Sequence, residues 1–355
     1  MKSQLISVIE NNSQLAYPWA GGINTGQFSS TDLNFDGKKD LVVFDRNGNR
    51  LLCFINTAPP GSYQFEYAPE YEHFFPQAND WFFMKDYDAD GLEDIFTYSL
   101  AGIRVYKNTS SQSKGLSFIK ISERLESLQG SSMPVNIFSS SVEIPAMVDL
   151  TGDGCLDVLV FHVLGAYLNM HRNLSMEKYG NCDSLLFERV KYCWGNFMET
   201  EESNHIEMNI DCPVDQSIEK NDITLDPSKL HAGSSVIPFD INGDGIFDLL
   251  IGDVDFPNLV ALYNQGNNVD ADIFYVDTAF PSATTPVNVL SMPYPSVIDI
   301  DNDGINEFIV APFDEKSNLS KNHHHIWLYK NTGDEIPELN LQTTSFLLDD
   351  MISMG

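Results

Sequence analysis

The sequence predicts an all-β chain, a β-propeller of four-stranded blades, and three observations predict it. A nine-residue acidic loop recurs five times, beginning at Asp32, Asp86, Asp149, Asp240 and Asp299. Each copy runs into an apolar, β-rich stretch, and each stretch is followed by an apolar run that ends in asparagine. The loop starts lie 54, 63, 91 and 59 residues apart, the period of a unit of several short strands rather than of a helical solenoid.

The strands of each unit follow in order. A short run precedes the loop, as in Ser235-Val236-Ile237 or Ser296-Val297-Ile298. The runs after the loops are Leu41-Val42-Val43-Phe44, Ile95-Phe96-Thr97-Tyr98, Val158-Leu159-Val160-Phe161, Leu249-Leu250-Ile251 and Phe308-Ile309-Val310. They are near-continuous rather than alternating, as expected of strands covered on both faces. The third runs end at Asn56, Asn108, Asn173, Asn264 and Asn331. A polar turn and an alternating run, such as Tyr63 to Tyr67 or Ile273 to Val276, complete the unit. Four strands per repeat, with apolar faces that need neighbours, suggest blades set radially. The repeats start near residues 24, 80, 142, 234 and 293, in a single domain spanning 1–355.

Composition limits what such a chain can do. Its 20 Lys and Arg stand against 51 Asp and Glu, a formal net charge of -31, which repels nucleic acid and anionic lipid. No apolar run approaches the roughly 18 residues of a membrane span, so direct membrane insertion is not expected. Aromatic residues make up 12% of the chain, which argues for a packed core rather than acidic disorder. The first ten residues, Met1 to Glu10, lack the apolar core and cleavage site of a secretory leader. Either the chain is cytosolic, or it is a fragment or mature form without its leader.

The loops carry the chemistry. Acidic side chains at the first, third and fifth positions, a glycine at the sixth and a carboxylate at the ninth can wrap a hard cation, because Ca²⁺ takes six to eight oxygen ligands in a flexible shell. An EF-hand does not fit: the last acid stands at position nine instead of twelve, and strands flank the loop. Of the 51 acids, 17 occupy positions one, three, five and nine of the five loops, a third of the total.

These motifs, D-x-[D/N/T]-x-D-G-x-x-[D/E] entering an apolar strand, resemble the FG-GAP/VCBS repeat family, calcium-bearing propeller repeats also found in integrin α-subunits and bacterial surface proteins. The resemblance covers roughly residues 20 to 350. The Phe-Gly and Gly-Ala-Pro signatures of that family are poorly kept, with Ala311-Pro312 the nearest echo. The resemblance implies up to five structural Ca²⁺ ions. Side-chain ligands would be Asp32, Asn34, Asp36 and Asp40; Asp86, Asp88, Asp90 and Asp94; Asp149, Thr151, Asp153 and Asp157; Asp240, Asn242, Asp244 and Asp248; and Asp299, Asp301, Asp303 and Glu307. The backbone carbonyls of Lys38, Leu92, Cys155, Ile246 and Ile305 would add a ligand each. All-oxygen sets favour Ca²⁺ over zinc or copper. By ligand charge the second and fifth loops should bind tightest, and the third, with Thr151, weakest. The family commonly closes with seven blades, which implies a truncated array here; the alternative is a closed ring whose last blade is completed by Leu5 to Ile9.

Cys182, Cys193 and Cys212 cluster, and Cys193 with Cys212 is the candidate disulfide; Cys53 and Cys155 read as small buried residues. The long third interval holds an insertion, about 193–231, read as a loop on a binding face. His323-His324-His325 reads as an exposed polar loop, and His162 and His171 as packed histidines. Trp81, Trp194, His73, Phe74 and Phe75 read as packing between blades before they read as sugar platforms. No nucleophile elbow, phosphate loop or His-Glu-x-x-His occurs. The function expected is an extracellular or cell-surface, non-catalytic adhesion or ligand-binding module with a protein or carbohydrate partner. The rivals are a carbohydrate-active propeller of polysaccharide-lyase type, and a structural spacer in a larger surface protein.

Overall fold

A computed structural model of the chain describes residues 7–10, 12–130, 133–163, 165–200, 204–211, 233–313, 324–333 and 335–352. It forms a five-bladed β-propeller. Blade one is Gly26–Thr31, Asp40–Asp45, Arg50–Asn56 and Phe65–Tyr67; blade two is Phe82–Lys85, Asp94–Ser99, Gly102–Asn108 and Phe118–Ser122. Blade four is Ser234–Phe239, Asp248–Asp253, Leu259–Asn264 and Ile273–Phe280; blade five is Pro293–Ile298, Glu307–Pro312, Trp327–Asn331 and Leu339–Thr343. Each is an antiparallel meander in chain order. Blade three, Ala146–Val148, Asp157–Phe161, Leu168–Asn173 and Phe187–Lys191, has six strands, because Glu126–Leu128 pairs in parallel with its outer strand and carries Val135–Asn136 beyond it. Those two edge strands lie in the connection between repeats and have no counterpart among the described residues of the other blades.

The near-continuous apolar runs become second strands that feed two interfaces at once. In blade one, Leu41 and Val43 face blade five while Val42 and Phe44 face blade two. Phe96 of blade two meets Val158 and Val160 of blade three. Leu159 and Phe161 meet Leu249 and Ile251, and Leu250 meets Phe308 and Val310. Ile309 and Ala311 of blade five then return to Leu41 and Val43. The two-residue period of a strand thus distributes one sequence run between two neighbours.

These five clusters occupy the five blade interfaces, so the ring closes between blades five and one. The expectation of a truncated seven-bladed array is corrected: among the described residues the second strand of each blade packs against both of its neighbours, and five blades complete the circuit. The closing seam is also polar. The Phe28 N–H donates to Ser296 Oγ at 2.9 Å, Asn56 Nδ2 to the Ile300 carbonyl at 3.1 Å, and the Gly61 N–H to the Asp301 carbonyl at 2.8 Å. The last blade takes its fourth strand from Leu339–Thr343, not from the N-terminal run; Ile9–Glu10 instead pairs with Ser13–Gln14, and Leu5 lies outside the described residues.

Of the insertion, the described part is ordered as a hairpin, Phe197–Glu199 against Ile206–Met208. Trp194 and Phe197 pack between blades three and four, and the Trp194 indole donates to the Asn268 carbonyl. Residues 212–232 lie outside the description. Trp81 and Trp194 are fully buried, and His171 is buried with its Nδ1 2.8 Å from Ser127 Oγ. The histidine run is corrected: His325 is buried, its Nε2 2.8 Å from the Ile23 carbonyl, while His324 is exposed and His323 lies outside the described residues.

Candidate metal sites

The five acidic loops connect first to second strands, and those of blades five, one and two touch in turn. Asn302 of loop five accepts from the Lys39 N–H at 2.7 Å and donates to the Lys39 carbonyl at 3.2 Å, and Lys39 pairs with Glu93 of loop two.

One hydrogen-bond scheme repeats. The first aspartate accepts from the N–H groups of positions five and six: Asp36 and Gly37 on Asp32, Asp90 and Gly91 on Asp86, Asp153 and Gly154 on Asp149, Asp244 and Gly245 on Asp240, Asp303 and Gly304 on Asp299. The fifth aspartate accepts from the N–H of position seven, at Lys38, Leu92, Cys155, Ile246 and Ile305. The sixth residue is left-handed in all five, φ from +81° to +93°, with open space where a Cβ would stand. Backbone angle, not crowding, therefore requires glycine there. Position four is also left-handed in every loop and is filled by Phe35, Ala89, Gly152, Gly243 and Asn302. Sequence reasoning missed this position, since its residue types share no chemistry.

In loops two and five the side chains of positions one, three and five converge. One oxygen each from Asp86, Asp88 and Asp90, and likewise from Asp299, Asp301 and Asp303, lie within 4.8 Å of one another. Asp88 Oδ1 and Asp301 Oδ1 are buried with no hydrogen-bond partner, as are Thr151 Oγ1 and Asp153 Oδ2 in loop three. Unpaired buried acceptors are costly, and a cation bound among them would satisfy them. The donor sets therefore fit a hard cation.

Position nine has a second employment. Asp40, Asp94, Asp157 and Asp248 are buried, and each takes the N–H of loop position two on one oxygen and the N–H of the strand-ending asparagine on the other, at 2.7–3.1 Å. Glu307 accepts from the Ile300 N–H and from the Lys330 ammonium. The asparagines explain the second landmark: Asn108 and Asn264 donate Nδ2 back to the carbonyls of Glu93 and Phe247, at position eight. Acid and asparagine together stitch the loop to the third strand.

Burial pushes the ninth-position acids up, Asp40 and Asp248 to about 6 and Asp94, Asp157 and Glu307 to about 7, while the N–H groups they accept from pull the other way. These folded values exceed the unfolded ones near 4, so the native chain binds more protons between them and its stability falls as pH rises from about 4 to about 7. For the chelated chain, urea unfolding at pH 7.5 should show a stability lower than at pH 5 by about 1 kcal/mol or more. Equal stabilities would contradict it.

The cysteine assignment changes here. Cys155, at position seven of loop three, is not an incidental thiol but is disulfide-bonded to Cys182, in the connection between the third and fourth strands of the same blade. The two residues are 27 apart in sequence and only the blade brings them together. Cys193 is disulfide-bonded too, and Cys212, the partner expected for it, lies outside the described residues. Cys53 is a buried free thiol.

Two concavities are lined by described residues. The first strands of all five blades line a central channel of about 300 Å³, with Phe28, Lys85, Met147, Ile237 and Tyr294 among its walls. A cleft of about 390 Å³ lies between blades four and five, bounded by Tyr263, Phe280, Thr284, Glu338 and Asn340.

No protein-family model and no curated protein matches the chain. Among solved structures, the chain is similar to an Agrocybe aegerita lectin that recognises non-reducing terminal N-acetylglucosamine, at 15% identity and TM-score 0.40, over 91% of this chain and 81% of that one. It is also similar to the Photorhabdus luminescens Tc holotoxin pore, at 12% identity and TM-score 0.38, and to the TcdB2–TccC3–Cdc42 structure, at 14% and 0.38. These cover 92% and 93% of this chain but only 12% and 16% of the toxin chains.

Proposed function

We propose that this chain is a calcium-stabilised propeller of the FG-GAP/VCBS kind that serves outside the cell as an adhesion or ligand-binding module without catalysis of its own. The observation that carries the metal half is the convergence of positions one, three and five in loops two and five, with a buried, unpaired oxygen in each. Oxygen is the only donor offered, which favours Ca²⁺ over softer ions, and the dense carboxylates suit it better than Mg²⁺ with its retained waters. Bound Ca²⁺ would draw the three carboxylates together, so its binding free energy becomes folding free energy.

The binding half draws on the architecture: a rigid ring offers its loops and two concavities to a protein or carbohydrate partner. The channel lining includes Lys85 and Tyr294 and the cleft lining Glu338 and Tyr263, so the rival reading as a polysaccharide-cleaving enzyme is tested by substituting these four and assaying a polysaccharide panel. The Cys155–Cys182 disulfide favours an oxidising compartment. Among the described residues no helix is long and apolar enough to cross a membrane.

Calorimetric titration of the chelated chain with CaCl₂ is expected to show binding, and melting followed by circular dichroism a higher transition with calcium. At a calcium concentration a hundred times the dissociation constant, each site adds about 2.7 kcal/mol. A chain that takes up no calcium and melts at the same temperature after chelation would remove the metal from the account.

A further inference from the structure

Loops two and five, the most acidic, each hold a cation that the chain itself supplies. Lys330 stands one residue before Asn331, and its ammonium donates to Asp301 Oδ2 at 2.6 Å, Asp303 Oδ2 at 2.9 Å and Glu307 Oε1 at 2.8 Å. Lys107 stands one residue before Asn108 and pairs with Asp88 Oδ2 and, at 3.3 Å, with Asp90 Oδ2. An ammonium has three donors, and Lys330 directs all of them at carboxylates from positions three, five and nine of one loop. The unpaired oxygens, Asp88 Oδ1 and Asp301 Oδ1, belong to carboxylates whose other oxygen the lysine holds, and both residues are more than nine-tenths buried. Each cage therefore contains one positive charge and keeps acceptor capacity that the charge does not use.

The other blades provide the comparison. In loop one, Lys38 spends its ammonium on the carbonyls of Asn56 at 2.8 Å and Ala58 at 3.3 Å, with Asp36 at 3.5 Å. In loop three, Arg172 precedes Asn173 but pairs with Glu177 and stays 3.9 Å from Asp153, while the disulfide ties the loop down. In blade four the residue before the asparagine is Tyr263, which carries no charge. Four loops are thus tied to the outer half of their own blade through a side-chain cation or a disulfide, and among the described residues only in loops two and five does one cation contact two or more carboxylates of the cage.

We propose that Lys107 and Lys330 are resident counter-ions of the cation cages in loops two and five, holding those loops in shape without a metal and yielding their place when a divalent cation enters. The tether keeps the ammonium at high local concentration, so a metal competes with it even when the protein is dilute. Both lysines are about a third exposed, 30% and 27%, and can swing into water once displaced. The count of carboxylates then overstates the affinity of these two sites. The displacement half rests on the calcium reading above; the counter-ion half does not.

The test compares wild type with Lys330→Met and Lys107→Met, which keep the aliphatic stem, and with Lys120→Met, an exposed lysine paired with Glu123 away from the loops. Each full-length chain is chelated, then titrated with CaCl₂ by calorimetry and melted with and without calcium. Loss of a charge-assisted bond network should tighten one calcium site about ten- to a hundredfold in each loop variant. The chelated melting temperature should fall in both, the calcium-saturated one should match wild type, and Lys120→Met should change neither. If wild type binds calcium and both loop variants bind it with equal or lower affinity, displacement is overturned. If wild type binds none, the calcium reading fails and displacement with it. An unchanged melting temperature of the chelated loop variants overturns the counter-ion role in either case.

Discussion

Asp94→Ala is expected to cost about 3–5 kcal/mol of stability, with or without calcium. Asp94 is fully buried and accepts the Tyr87 N–H at 3.0 Å and the Asn108 N–H at 2.7 Å. Alanine removes both acceptors at once. Each stranded amide costs about 1–3 kcal/mol, and the lost side chain leaves a small void. Urea unfolding followed by tryptophan fluorescence measures the loss directly. Asp90→Ala is the comparison: Asp90 is exposed at the loop tip, where it accepts the Leu92 N–H and pairs with Lys107, so its substitution should cost the chelated chain clearly less than Asp94→Ala does. A ninth-position acid that acted only as a metal ligand would give the opposite result, with Asp94→Ala harmless in the chelated chain.

Removal of the Cys155–Cys182 disulfide carries the second large effect. The cross-link joins residues 27 apart, and chain-entropy arguments for a loop of that size give about 3–4 kcal/mol. The double variant Cys155→Ala/Cys182→Ala should lose this much in urea unfolding at neutral pH. Reductant should destabilise wild type by more than it destabilises the double variant, since Cys193 is also oxidised and remains in both. A double variant as stable as wild type would mean that the other ties of blade three hold loop three unaided.

The two effects differ in how far the sequence announces them. The ninth-position acid is legible as a recurring carboxylate, because a five-fold repeat filters chance matches. Its pairing with the asparagine is not, although both recur at related spacings, because each is a separate local pattern until the second and third strands lie side by side. Asn108 shows the gap well: it reads as the end of a strand, and the structure makes it a clamp on the loop. Cys155 illustrates a different limit. It reads as a small buried residue inside an acidic loop, and only the folded blade sets it beside Cys182. Lys107 and Lys330 were visible as the residue before the asparagine in two runs, and that register, once noticed, is the signal that would have found them.

The sequence by itself determined the strand count per repeat, the identity of the acidic loops and the all-β class, because these depend on short-range physics: short β-rich apolar runs between polar turns, a left-handed glycine, carboxylates at fixed offsets. Tertiary structure alone decided that five blades close the ring, that Glu126–Leu128 joins blade three in parallel, and that the ninth-position acids face backbone donors. Each of these turns on which surfaces meet. Blade one meets blade five across almost the whole chain, through contacts such as Phe28 to Ser296, and no local pattern encodes a partner 268 residues away.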